Sequence, residues 1–133
     1  MKKRVYYEDT DCGNVVYYAN YLKYMERGRT EYLRERGISL LEYHKQGYVF
    51  AVTEVNAKYR RPAVYNDLLE VETRVTEIAS VAIMFETTLY NEEGTRLFTG
   101  SARVVCVDAK TGKAANAPKD MIEKLRKEVI SKN

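Results

Sequence analysis

From residue 48 onward the apolar positions recur at every second residue. Val49, Ala51, Thr53, Val55, Ala57 and Tyr59 alternate with polar partners. Val71, Thr73 and Val75 alternate with Glu70, Glu72 and Arg74. Val81, Ile83, Phe85 and Leu89 follow, and then residues 96–107, RLFTGSARVVCV. A period of two puts successive side chains on opposite faces of a sheet, so these stretches predict four strands. Between them lie Tyr65-Asn66-Asp67, Asn91-Glu92-Glu93-Gly94 and Asp108-Ala109-Lys110-Thr111-Gly112, each rich in residues that close tight turns. No stretch is long enough for a crossover helix, so the strands are expected to pair antiparallel.

Ahead of this block the period differs. Residues 3–7, KRVYY, predict a short strand. Residues 20–36 space Tyr21, Met25 and Tyr32, with Leu22 and Leu33, as a helix does. Asn20 is the expected N-cap and Gly37 the expected stop. Gly28 falls in mid-helix, where glycine costs about 1 kcal/mol relative to alanine. Either the helix tolerates it or another backbone approaches closely there. Residues 39–46 predict a short second helix capped by Ser39, and Pro118 is expected at the first position of a last helix. That helix would bury Met121, Ile122, Leu125 and Val129. The economical arrangement is an α+β domain spanning residues 1–133, in which about five antiparallel strands wrap one long helix. Exposed sheet edges favour pairing of two copies.

The composition narrows the function. Of 133 residues, 45% are hydrophobic and 31% charged, which suits one globular, soluble domain. No run approaches the roughly 20 apolar residues of a membrane span, and the basic start lacks the apolar core of a signal peptide. A cytoplasmic protein is expected. The net charge of +3 is small and its cations alternate with acids apart from Arg60-Arg61, so nucleic-acid binding is not expected. Cys106 lies in an apolar strand pattern and should simply be packed. Cys12 sits among carboxylates that would raise its pKa. The single histidine, His44, reads as an ordinary, partly exposed side chain. There is no spacing for a zinc site, no Ser-His-Asp elbow, and no dinucleotide or phosphate loop. An enzyme built from this chain must work with carboxylates, backbone dipoles and arginines.

The stretch from residue 8 to residue 21, EDTDCGNVVYYANY, sets an acid cluster directly before the long helix. The first N–H groups of a helix lack partners and lie at the positive end of its dipole. They can polarise a carbonyl while a carboxylate attacks it or activates water. A thioester suits such a site, because sulfur stabilises the carbonyl little and thiolate leaves well. The alternative is that Glu8, Asp9, Asp11, Gly13 and Asn14 only form turns and caps. Asp9 reads as loop-shaping. Tyr7, Tyr17 and Tyr24 either line a pocket or pack.

The run from Asp9 to Tyr21 resembles the signature D-x-D-x-x-G-[IV]-V-[YFW]-[HY]-x-N-Y of the 4-hydroxybenzoyl-CoA/YbgC-type acyl-CoA thioesterases of the hotdog fold. Leu22, Met25, Glu26 and Arg29, then Tyr59 to Ala63 and Asp67 to Val71, extend the resemblance over nearly the whole chain. It implies hydrolysis of an acyl-CoA to a carboxylate and free CoA. Asp11 falls on the catalytic carboxylate, as nucleophile or general base. Tyr18 falls on the residue whose backbone N–H polarises the thioester carbonyl. Gly13, Asn14, Val15, Glu26 and Arg61 are the expected substrate-binding residues, Glu26 falling on a helix position that in some relatives faces the acyl pocket. Asn14 stands where the family has glycine. Residues 78–82 lack the basic cluster that some relatives use for CoA phosphates, which leaves Arg60, Arg61 and Arg103 as candidates. No metal or resident cofactor is implied, coenzyme A being part of the substrate. A homodimer assembling into a homotetramer is implied. Two alternatives stand: hydrolysis of an acyl carrier protein thioester, and a non-catalytic protein that binds an acyl ligand.

Overall fold

The computed structural model describes residues 1–11 and 13–129. In chain order the elements are β1 (Lys2–Arg4), a 3₁₀ turn (Tyr7–Asp9), α1 (Asn20–Glu35), α2 (Leu40–Lys45), β2 (Tyr48–Tyr59), β3 (Leu68–Ile78), β4 (Ala82–Tyr90), β5 (Arg96–Asp108) and α3 (Lys119–Arg126). The five strands form one sheet in the order β1-β3-β4-β5-β2. β1 pairs antiparallel with β3, Lys3 opposite Leu69. The other pairs are antiparallel too. Ala79 N–H donates to the Ala82 carbonyl across the β3–β4 turn, Asn91 N–H to Thr95 between β4 and β5, and Arg60 N–H to Leu97 between β2 and β5.

All three turn signals close as their chemistry requires. The Asp67 carboxylate accepts from Val64 N–H, Asn91 Oδ1 from Glu93 and Thr95, and Asp108 Oδ1 from Lys110 and Thr111. Asn66, Gly94 and Gly112 supply the positive φ.

The chain divides into two compact units. The first comprises Met1–Glu31, Ala57–Thr73 and Thr87–Gly100. In it the start of α1 buries Tyr21, Tyr24 and Met25, and Val5, Leu69, Val71, Leu89, Leu97 and Phe98 are buried with them. Tyr21 stacks on Phe98 at 5.0 Å. The approach at Gly28 is that of side chains, not of a second backbone. A Cβ there would lie 2.7 Å from Thr73 Oγ1 and 2.8 Å from Val71 Cγ1 of β3.

The second unit comprises Tyr32–Asn56, Arg74–Glu86 and the chain from Ser101 onward. Its core joins Tyr32, Leu33, Ile38, Tyr43, Val75, Ile83, Phe85, Val104, Met121 and Leu125. α1 ends as expected at Gly37, φ +73, with Gly37 N–H on the Arg34 carbonyl and Ile38 N–H on Leu33. Ser39 caps α2, its side chain accepting from Glu42 N–H. The Tyr43 hydroxyl donates to the Asp120 carboxylate at 2.8 Å, tying α2 to α3. Burial, then Asp120, pushes the Tyr43 phenol up to about 12. Cys106 is buried, which raises its thiol, and His44 is exposed.

Several boundaries differ from expectation. β1 stops at Arg4, because Asp9 folds back and its carboxylate accepts from Tyr6 N–H at 3.0 Å, coiling Tyr7–Asp9 into a 3₁₀ turn. Asn20 is the first helical residue of α1 and no cap acceptor; its amide donates to the Asp9 carbonyl at 2.9 Å. Pro118 is the N-cap of α3, one place before its first turn. Val129 lies past the end of α3 and is exposed. The alternation of β2 buries none of its residues, since β2 is an outer strand with Val52 and Val55 exposed. Cys12 lies outside the described residues.

Candidate active site

Residues 9–11 and residues 13–17 pair as the two sides of a small hairpin. Asp11 N–H donates to the Val15 carbonyl, Asn14 N–H to Asp11, and Tyr17 N–H to Asp9. The reversal needs one residue with positive φ, and Asn14 supplies it at φ +60. Gly13 is not strained; its N–H donates to Asp11 Oδ1 at 3.1 Å. Asp11 is exposed, and among the described residues its other oxygen has no partner. Asp9 and Asp11 do not share a direction, as an extended segment would impose. Asp9 serves the 3₁₀ turn and Asp11 the hairpin, so the loop-shaping reading of Asp9 holds.

A distant segment pins this hairpin. Val16 N–H donates to the Ala63 carbonyl, Tyr65 N–H to the Asn14 carbonyl, and Val15 bridges Val64. Ala63 is held in turn by the Tyr21 hydroxyl of α1, which accepts its N–H at 3.0 Å. Gly13, Asn14 and Val15 are thus brought together with Asp11.

The helix start lies three residues on. Asn20 N–H donates to the Tyr17 carbonyl, Tyr21 N–H to Tyr18, and Leu22 N–H to Ala19. Among the described residues, neither Tyr18 N–H nor Ala19 N–H has an acceptor. Tyr18 is 63% exposed. It lies 4.8 Å from the Tyr17 ring and edge-on to Tyr59. The Tyr18 phenol and, less strongly, the Asp11 carboxylate hold the Tyr17 hydroxyl above the usual tyrosine range.

The remaining expected residues stand apart from this turn. Glu26 is exposed on α1, where it partly offsets the burial that lowers the Arg29 guanidinium. Arg61 is exposed beyond β2, and its backbone N–H donates to the Leu97 carbonyl. The Arg103 guanidinium donates to the Thr53 hydroxyl at 3.0 Å. Tyr24 is fully buried, and burial, with Asp9 nearby, raises its phenol; Tyr7 is exposed and meets Tyr65 edge-on. Sequence reading missed Tyr59, whose hydroxyl donates to the Tyr18 carbonyl at 3.1 Å. Its place in a period-two run marks it only as a strand residue.

One long helix, an antiparallel sheet ordered β1-β3-β4-β5-β2 and a C-terminal helix are the elements of a hotdog fold. The fold is shared with the crystal structure of a DHNA-CoA thioesterase from Staphylococcus aureus, at a TM-score of 0.91 and 27% identity over 96% of this chain and 87% of that one. The chain belongs to the thioesterase-like superfamily, whose model matches residues 5–125. It is 37% identical to the acyl-CoA thioester hydrolase YbgC of Escherichia coli over 92% of both chains. It is 42% identical to the acyl-CoA thioesterase YbgC of Haemophilus influenzae, over 89% of this chain and 87% of that one.

Proposed function

We propose that the protein hydrolyses acyl-CoA thioesters to a carboxylate and free CoA. The observation that carries the reading is the Tyr18 N–H just before α1, which has no acceptor among the described residues, seven residues after the exposed Asp11 carboxylate. Its relatives' names point the same way. The thioester carbonyl oxygen would accept from Tyr18 N–H, which gains strength as negative charge develops on that oxygen. Asp11 accepts from Gly13 N–H with one oxygen, and among the described residues the other has no partner and would do the chemistry. As nucleophile it forms a mixed anhydride and expels CoA thiolate, and water then cleaves the anhydride. As general base it takes a proton from water while the hydroxide attacks, and the thiolate leaves and is protonated. Gly13, Asn14 and Val15 shape the approach to Asp11. Glu26 faces the acyl portion and Arg61 the CoA phosphates.

The working form is a homodimer assembling into a homotetramer in the cytoplasm, which would cover the exposed residues of β2. Light scattering after gel filtration tests the assembly. Thiol release from short, long and aromatic acyl-CoAs, with wild type beside Asp11→Asn, tests the reaction. Turnover of at least one ester, with a loss of roughly a hundredfold or more in the variant, supports both assignments. Equal activity of the two proteins removes Asp11 from the mechanism. Turnover confined to acyl carrier protein thioesters transfers the reading to that substrate.

A further inference from the structure

We infer that Tyr59 is a positioning residue for the carbonyl-polarising turn, holding the Tyr18 peptide group through its phenolic O–H. The inference rests on the proposed role of Tyr18 N–H.

Tyr59 is the last residue of β2. The chain is fixed directly after it, because Arg60 and Arg61 both donate their N–H groups to the one Leu97 carbonyl, at 2.8 and 3.1 Å. Its ring is held on three sides. Tyr21 meets it edge-on at 5.0 Å, Phe98 lies 5.3 Å away, and the Tyr18 ring stands at 6.5 Å. Tyr59 is 48% exposed, and these ring contacts orient its hydroxyl, which donates to the Tyr18 carbonyl at 3.1 Å. The only other donor to that carbonyl among the described residues is Tyr21 N–H, at a longer 3.3 Å.

The Tyr18 carbonyl is bonded to the Ala19 nitrogen, so orienting it orients Ala19 N–H. It also restrains rotation about the Tyr18 Cα–C bond, and so the angle between this peptide plane and the preceding one, which carries Tyr18 N–H. Both N–H groups are unpaired among the described residues. Donors of this kind act by being aimed before charge develops, and an error of about 1 Å in aim can cost on the order of a hundredfold in rate. Burial raises the Tyr59 phenol, so it remains a donor through neutral pH.

The test is Tyr59→Phe, which keeps the ring and removes the donor. The same acyl-CoA panel is used, with kcat and KM measured separately. Expected is a fall in kcat of roughly tenfold or more, with KM changed by less than about twofold, because the lost contact acts only on the developing oxyanion. The factor should be the same for every acyl group, since the carbonyl is common to all. A factor that changes with the acyl group would place Tyr59 in the acyl pocket and overturn the inference. So would a rise in KM with kcat unchanged. Equal kinetics in an active wild type overturns this inference alone, whereas absence of turnover by wild type overturns it together with the reaction it serves. Thermal melting of the two proteins guards against a folding effect. A variant that melts well below wild type, with its rate loss removed once the folded fraction is corrected, also refutes the inference.

Discussion

Replacing Gly28 by alanine separates two accounts of a glycine in mid-helix by sign. If the helix merely tolerates glycine, alanine should stabilise the protein by about 1 kcal/mol, the gain in helix propensity. The structure argues the reverse. The new methyl would lie 2.7 Å from Thr73 Oγ1 and 2.8 Å from Val71 Cγ1, where something must shift. Thr73 is only partly buried and can turn its hydroxyl away, but Val71 is 2% exposed and enclosed. Overpacking of a core typically costs about 1–3 kcal/mol. Against the propensity gain, the net loss is about 1 kcal/mol, or about 3–4 °C of melting temperature in a chain of this length. Differential scanning calorimetry of wild type and Gly28→Ala measures it. In a Val71→Ala background the same change should become neutral or stabilising, because Val71 Cγ1 is gone and the Thr73 hydroxyl can turn away. A higher melting temperature for Gly28→Ala in the wild-type background would show the packing argument to be wrong.

Other expectations are equally specific. Tyr43→Phe should melt below wild type at pH 7, with a gap that narrows on acidification. The Tyr43 hydroxyl depresses the Asp120 carboxyl, so the stabilisation is present above the ordinary aspartate value and is lost as pH falls through the lower folded value; melting curves from pH 7 to pH 2 show it. Asn14→Gly should keep stability and activity, whereas Asn14→Ala should lose about 1 kcal/mol because alanine is strained at φ +60, as urea titration will show.

Where local chemistry decides the outcome, the sequence could be read. Asx and glycine turns closed where they were expected, Gly37 ended α1, and Ser39 capped α2, since each depends only on a few neighbouring residues. The positive φ of Asn14 falls where the family signature has glycine. What failed was the direction of hydrogen bonds to distant chain. Asn20 has the composition of a cap acceptor, yet it donates to Asp9 because the 3₁₀ turn delivers a carbonyl to it. Period two in β2 indicates a strand but not that it lies at the outside of the sheet with no residue buried. The family motif marks Asp11 as a candidate, whereas no local signal joins Tyr59 to Tyr18, because only the paired strands carry it there.

The pinning of residues 14–16 by residues 63–65 also bears on when the site comes into being. A ribosome makes Asp11 and Tyr18 before Tyr59 and residues 63–65, the distant groups that hold them. Tyr59 follows Tyr18 by 41 residues, a gap of about 2–8 s at a synthesis rate of roughly 5–20 residues per second. Until then the hairpin has only its own few bonds, and short isolated hairpins are marginal in water. The motif is thus a late-assembling part of the chain. In refolding, recovery of a signal from the Asp11 turn should lag behind the helical circular dichroism signal, since it waits on closure of the longer loop.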